Sequence, residues 1–546
     1  MKESLNGFGP LLLAAIMVSG LGQPVCGVAH ATAAKQSERI GTRAKCAWLD
    51  PQLSVARRVA LLMHKMSIAD EIRMIGGQGE GVLPYVGNIL ENRALCVPPL
   101  GLEDGPNGVG DRMTGVTQLP SGASLAATFS RKLAYEYGRV IGAEQRTKGA
   151  AIDLGPTVNI ARDPRWGREF ESLSEDPVLS SNLAVAEIGG IQSAGTMAQV
   201  KHFVVYNQET YRNTSEDNVI VSRRALQEIY LPSFRAAIRQ GKVGSIMCAY
   251  STVNGKDSCA SRQLLSDVLR NQWDFDGFVT SDWSAIHDLA AAEAGADMEQ
   301  PVTLFFGEPL QHAIAQGAIP RARLNTMVAP ILYQMFRFGL FDHPRAGNPR
   351  SVATTRAHQM ISTVVAEAGT VLLKNEGGVL PLSTSERIAV IGPGAAVQVA
   401  YGGGGSASVI PSATVTPLAG IEAAIGASGV SYTQGLPTAA QLKPIPSVVL
   451  SKPYAGTTCN ASYSAILRPP ETGTYIIGFT NGCLGTVTVA IDGRALINSA
   501  GASPTYQAAV HLEAGKSYKL TLSAALPVID QSYKKASDAA AEGKSP

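Results

Sequence analysis

Six residues of this sequence have the types and placing that chemistry on a polar ligand requires. Asp282 closes the run Gly277-Phe-Val-Thr-Ser-Asp282 and is followed by Trp283. Lys201 and His202 fall near the end of Met197-Ala-Gln-Val-Lys-His-Phe203, and Tyr250 ends Gly244-Ser-Ile-Met-Cys-Ala-Tyr250. Asp104 and Arg168 sit in turn-rich segments, Leu102–Gly108 and Arg162–Pro177. Carboxylate, guanidinium, ammonium, imidazole and phenol together supply the donors and acceptors that a polyhydroxylated ligand takes, with a carboxylate beside them to attack it. A single Asp at a strand end more often caps the next helix. The gathering of all six is what favours chemistry.

The elements that must position them alternate. From about residue 55 to 340, short apolar runs such as Ala150–Leu154 and the three just quoted are separated by amphipathic stretches, among them Ser222–Gln240 and Arg262–Trp273. That alternation predicts a parallel sheet wrapped by helices, a (β/α)8-type barrel across residues 34–345, with a doubly wound sheet as the alternative. In such folds the C-terminal strand ends form the ligand-binding face. After the linker-like Phe341–Pro349, residues 346–440 read as the first part of an α/β sandwich domain. It opens with a helix over Ser351–Gly369, continues through Thr370–Lys374 and Val379–Leu382, and runs a strand Arg387–Ile391 into Gly392-Pro-Gly394. The glycines of Gly402–Ser406 lack the Gly-Lys-Ser/Thr of a phosphate cradle and read as a flexible loop. Residues 441–527 are β-rich, with Asp492-Gly493 as a hairpin signal between strand-like runs. Residues 528–546 read as a polar return to the sandwich domain.

The bulk properties set bounds. At 546 residues the chain exceeds the roughly 250–300 at which one core stops growing, so two or three domains are expected. A net charge of +2 from 46 basic and 44 acidic residues offers no polybasic surface, which excludes nucleic acid as a partner. Lys2, the apolar Pro10–Val18 and the small-residue sites up to Ala33 have the layout of a secretory signal peptide over residues 1–33. No other stretch is apolar enough for a membrane span, so the mature chain is expected outside the cytoplasm, extracellular or periplasmic. Six cysteines remain after Cys26 leaves with the signal; proximity favours the pairs Cys248–Cys259 and Cys459–Cys483. No Cys-x-x-Cys spacing points to a metal, and no cofactor is implied.

The segments Leu102-Glu-Asp-Gly-Pro-Asn-Gly108, Arg162-Asp-Pro-Arg-Trp-Gly-Arg-Glu-Phe-Glu-Ser172 through Pro177, Lys201-His-Phe203, Met247–Tyr250 with Val253-Asn-Gly255, and Thr280-Ser-Asp-Trp283 resemble glycoside hydrolase family 3 in order and spacing. The resemblance implies a retaining, exo-acting β-glucosidase-type enzyme acting on oligosaccharides or aryl β-glycosides, with Asp282 as the nucleophile. It gives Asp104, Arg168, Lys201 and His202 to the sugar's hydroxyls, Tyr250 to the neighbourhood of the nucleophile, and Trp283 to an aromatic wall. Nearby Arg168 and Lys201 would hold the Asp282 pKa down. The β-rich unit, with Tyr463–Tyr475 and Thr486–Gly493, is similar to the sandwich module named after anthrax protective antigen, inserted in the second domain of some family members.

One departure stands out. The family's general acid/base is a Glu on a second-domain loop that follows the inserted module, and here Asp530–Glu542 leads only to Pro546. This implies a truncated reading of a longer gene and impaired hydrolysis, since a general acid contributes about 10²–10⁴ in rate. The alternative is a non-catalytic carbohydrate-binding protein that keeps the sugar subsite. The N-acetylglucosaminidase branch, whose Lys-His-Phe-Pro-Gly-His-Gly loop is replaced by Lys201–Asn207, is disfavoured. Sugar, linkage and oligomeric state are left open by the sequence.

Overall fold

The computed structural model describes residues 46–525 apart from 80–82, 344–346, 398–403, 436–444, 446–448, 453–460, 481–484 and 502–504. The signal peptide, the pairing of Cys459 with Cys483 and the 528–546 segment lie outside the described residues.

The alternating runs of the first unit form six strands: β1 Gly87–Ile89, β2 Leu100–Asp104, β3 Ile152–Leu154, β4 Met197–Phe203, β5 Ser245–Cys248 and β6 Phe278–Ser281. They lie side by side in chain order, antiparallel between β1 and β2 and parallel thereafter. Every residue in them is buried, because helices cover one face and the barrel interior the other; hence the unbroken apolar runs in place of polar alternation. Two irregular segments then close the ring. Met298 N–H donates to Val279 and Ser281 N–H to Met298, Glu299 N–H to Ile75 and Gly77 N–H to Glu299, and Gln78 N–H to Asn88 of β1. The segments around Met298–Gln300 and Gly76–Gln78 are thus the last two staves, and the fold is the expected barrel with one reversed strand. A doubly wound sheet has no such closure.

The helices between strands follow local chemistry. Arg131–Lys148 starts at the Ser130 cap, and Pro177–Ser193 at an Asp176 cap with proline in its first turn. These two helices meet at glycines: a Cβ on Gly138 would stand 2.1 Å from the Glu187 carbonyl oxygen, and one on Gly190 2.0 Å from that of Tyr135. The stretch Ser222–Gln240 is not one uniform helix. Leu226–Tyr230 is wound as a π turn before α geometry resumes at Pro232–Arg239, because Pro232 has no N–H to continue the ladder. Gln263–Gln272 is also π-wound.

In the second unit the helix spans Arg356–Gly369, five residues shorter at its start than expected because Thr355 caps it. Strands β7 Ile388–Ile391 and β8 Val430–Thr433 pair in parallel. The apolar runs at Thr370–Lys374 and Val379–Leu382 do not join them and are exposed, Leu373 at 92%. The β module is a sandwich with a core of its own, including Leu467, Ile477, Val487, Leu512 and Leu520. One sheet contains β9 Ala461–Leu467, β11 Gly485–Ile491, β12 Arg494–Gly501 and β14 Tyr518–Ala525; the other pairs β10 Gly473–Thr480 with β13 Thr505–Leu512. The hairpin at Asp492-Gly493 is present, both residues having positive φ (50° and 81°) as a type I′ turn requires.

The second unit is tied to the barrel mouth. His358 Nδ1 lies 2.8 Å from the buried Glu144 carboxylate, which also accepts from the Thr117 N–H and hydroxyl. Val409 packs with Val109, Met113 and Val116, and Val116 forms a bridge with Pro411. The segment after Gly404 therefore rests against the loop that follows β2.

Strand β6 is anchored by Asp297, whose buried carboxylate accepts from Val279 N–H at 2.9 Å and pairs with Arg270 and with Arg323 at 3.2 Å. Asp297→Ala leaves two cations without their anion, and the expected loss is about 3–5 kcal/mol of unfolding free energy. Urea unfolding followed by circular dichroism reads it; a loss under 1 kcal/mol would show that β6 does not depend on this anchor.

Candidate active site

The strand ends deliver the predicted residues to one place. Asp104 ends β2, Lys201 and His202 lie near the end of β4, Tyr250 follows β5 and Asp282 follows β6. Lys201 Nζ donates to Asp104 Oδ1 at 2.8 Å, both side chains being buried. His202 is held by Asn159, whose Oδ1 accepts the His202 N–H and whose Nδ2 donates to the His202 carbonyl, each at 2.9 Å. Its Nε2 lies 3.7 Å from Asp282 Oδ2. Burial, and then the charges of Arg168 and Lys201, push the His202 pKa well below its ordinary value, so the ring beside Asp282 is neutral.

Asp282 itself is pinned on one side only. Oδ1 accepts from the Trp283 N–H at 2.8 Å, and the Tyr250 hydroxyl faces the carboxylate. Oδ2 is buried and has no hydrogen-bond partner among the described residues. Its pKa is raised by burial, although Arg168, the Trp283 N–H, Arg212 and Lys201 all pull the other way. This corrects the expectation that Arg168 and Lys201 hold it down: their charges only moderate the larger effect of removing water from the carboxylate. Trp283 is half-buried and packs at the core's edge, its Cζ2 standing 3.1 Å from the point where a Cβ on Gly87 would be.

Arg168 is in the site but already engaged. It makes a two-pronged ion pair with Glu171, at 2.8 and 3.0 Å, and stands 5.6 Å above the Tyr206 ring. Five neighbours went unread in the sequence. Glu209 accepts from Trp166 Nε1 at 2.8 Å, from the Tyr206 hydroxyl at 2.6 Å and from Arg212 at 3.1 Å, while Arg212 lies 5.0 Å from the centre of the Tyr250 ring. The one available signal was Trp166 within the Arg165-Trp-Gly-Arg168 segment; Glu209 and Arg212 stand in a loop with no periodicity to expose them. The fifth is Ser406, whose Oγ lies 3.4 Å from Arg168 Nη2. The glycines before it read as a loose loop, yet Gly405–Ala407 forms a turn at the barrel mouth. Beneath the site lies a set of carboxyl groups deprived of water. Burial and Asp104's charge raise Asp111 to about 9, burial and the charge of Asp111 raise Glu103 to about 10, and burial raises Asp153 to about 7.

The arrangement is a buried carboxylate with one free oxygen, a neutral imidazole beside it, and cations and hydroxyls around both. It suits attack by Asp282 on a neutral, hydroxyl-rich ligand. Among the described residues no group of His, Cys, Asp and Glu is placed to hold a metal ion, and no helix is long and apolar enough to cross a membrane. Disulfides join Cys248 to Cys259, as expected, and Cys46 to Cys96.

Comparison with known proteins identifies the family. The glycosyl hydrolase family 3 N-terminal domain profile matches residues 78–332 and the family's C-terminal domain profile residues 370–543. The chain is 32% identical over 507 residues to probable beta-glucosidase J of Neosartorya fischeri and 33% identical over 477 residues to a beta-glucosidase of Rhizobium radiobacter. The first alignment covers 81% and the second 80% of this chain, and each takes in 57% of the relative's length. Among solved structures, DesR, a beta-glucosidase from Streptomyces venezuelae in complex with D-glucose, superposes with a TM-score of 0.72 at 34% identity, covering 88% of this chain and 66% of DesR. The beta-glucosidase of Kluyveromyces marxianus in complex with glucose superposes with a TM-score of 0.67 at 27% identity, covering 86% and 63%.

The buried carboxyl groups generate a pH dependence. Glu103 has a folded pKa near 10 against an ordinary value of 4.5, so the folded chain holds a proton that the unfolded chain releases. Its contribution is favourable below the unfolded value and is lost as pH rises through the folded one. Glu103→Gln should therefore match the parent near pH 4 and gain stability over it as pH rises toward 10, by at most about 1.4 kcal/mol per unit. Urea midpoints at pH 5, 7 and 9 test this; a constant difference would contradict it.

Proposed function

The chain belongs to glycosyl hydrolase family 3, and from that membership we propose that it is a retaining, exo-acting β-glucosidase-type hydrolase whose nucleophile is Asp282. The observation that carries the reading is Asp282 Oδ2, buried at a strand end and without a hydrogen-bond partner among the described residues, while Oδ1 is fixed by the Trp283 N–H. Ionised Asp282 attacks the anomeric carbon, forming a C–O bond as the bond to the aglycone oxygen breaks. Water later cleaves that ester and restores the carboxylate. His202, being neutral, offers hydrogen bonds without neutralising the nucleophile; Asp104, Lys201 and Arg168 take the sugar's hydroxyls, and Trp283 walls the subsite.

The glucose named with DesR and the Kluyveromyces enzyme supports β-glucosides or related oligosaccharides as substrates. The two disulfides support export to an oxidising compartment. The departing oxygen needs a proton, and the carboxyl groups nearest the site are committed: Asp104 to Lys201, Glu171 to Arg168, Glu209 to Trp166, Tyr206 and Arg212. These residues alone would turn over natural glycosides slowly, by about 10²–10⁴ relative to an acid-assisted site.

A leaving group that departs unprotonated isolates the attack. Incubation with 2,4-dinitrophenyl 2-deoxy-2-fluoro-β-glucoside should add one fluoroglucosyl mass to the peptide containing Asp282. The labelling rate should climb with pH around a midpoint above the ordinary aspartate value, and Asp282→Asn should lower it on the order of 10³-fold or more. Glucose binding without any label would instead identify a carbohydrate-binding protein that has lost turnover.

A further inference from the structure

Gln300 sits on the stave that closes the barrel. Thr280 of β6 pairs with Met298 in parallel, so two residues further along each segment Gln300 stands in register beside Asp282. The backbone of Gln300 is fully used: its N–H donates to Ser281 Oγ at 2.9 Å, and its carbonyl accepts from the Ser284 N–H at 2.8 Å. The side chain is the opposite. It is 0% exposed, and neither its amide nitrogen nor its amide oxygen has a partner among the described residues. Buried polar groups are nearly always bonded, and leaving both ends of a carboxamide unmade is costly.

Space has been kept for this amide. A Cβ on Gly77 would stand 2.7 Å from Gln300 Oε1 and one on Gly87 3.0 Å from it, and the same Gly87 point lies 3.1 Å from Trp283 Cζ2. The carboxamide oxygen and the six-membered ring of Trp283 therefore flank the same point beside Gly87. Asp282 Oδ2 and the Gln300 amide thus have no hydrogen-bond partner among the described residues and stand on adjacent strand ends. We infer that Gln300 is a specificity-determining residue whose carboxamide hydrogen-bonds the hydroxyls of the sugar unit packed on Trp283. Neighbouring sugar hydroxyls each donate and accept, which matches an amide offering N–H on one side and C=O on the other. A purely apolar aglycone against this wall would leave the amide unpaired and be discriminated against.

This inference rests on the pocket taking a sugar. Titration calorimetry of the parent chain, Gln300→Met and Gln300→Leu with glucose and with cellobiose separates the two statements. The parent should bind, and both variants should bind the sugar that reaches Trp283 about tenfold more weakly. Their ligand-free thermal midpoints should stay level or rise, since an unpaired amide has been replaced by an apolar chain of similar size. Affinities within about twofold of the parent for both sugars, or a clear fall in the midpoints of both variants, would overturn the role of Gln300. A parent chain that binds neither sugar would overturn the sugar-site reading itself.

Discussion

The cost of keeping charge out of water at the barrel mouth governs this structure. Asp104, Lys201, Glu171 and Asp282 are all buried, and a buried ion persists only where a counter-charge or convergent hydrogen bonds compensate it. Lys201 answers Asp104 and Arg168 answers Glu171. Among the described residues Asp282 has no Lys or Arg in direct contact; its carboxylate relies on the Trp283 N–H, the Tyr250 hydroxyl and the longer-range charge of Arg168. The result is a carboxyl group raised in pKa and left, among the described residues, with one oxygen free of hydrogen bonds.

The same constraint explains the layers around it. The strands must be buried on both faces to exclude water from the ion pairs, and the ring must close so that no strand edge is left open beneath the site. Closure is achieved by irregular segments, Gly76–Gln78 and Met298–Gln300, through a few backbone bonds. Asp297 shows how firmly that seam is held, with two arginines and a strand N–H on one buried carboxylate. The second unit then meets the mouth, placing Ser406 near Arg168 and packing Val409 over the loop that follows β2.

The six residues whose types suggested chemistry do converge: five lie at or just past strand ends, which parallel strands deliver to one face, and Arg168 reaches them from the long loop after β3. The apolar runs at 197–203, 245–248 and 278–281, the helix after Thr355 and the Asp492-Gly493 hairpin were equally legible, since they depend on local period, capping and backbone conformation. The π turns near Tyr230 and along Gln263–Gln272 were not, and the runs after Gly369 that remain exposed were not either; both depend on what packs against them.

Sequence by itself determined the chemical inventory, the order of the elements and the family, because residue type and spacing are local properties that survive without coordinates. Tertiary structure alone decided which groups are free. Glu209 and Arg212 join the site through contacts with Trp166, Tyr206 and Tyr250, and Ser406 reaches it from another unit. Gln300 was invisible until the closing stave set it beside Asp282. The pKa of Asp282 followed the same rule: the sequence supplied the neighbouring cations, but only burial fixed how much water was removed, and removal of water outweighed the cations.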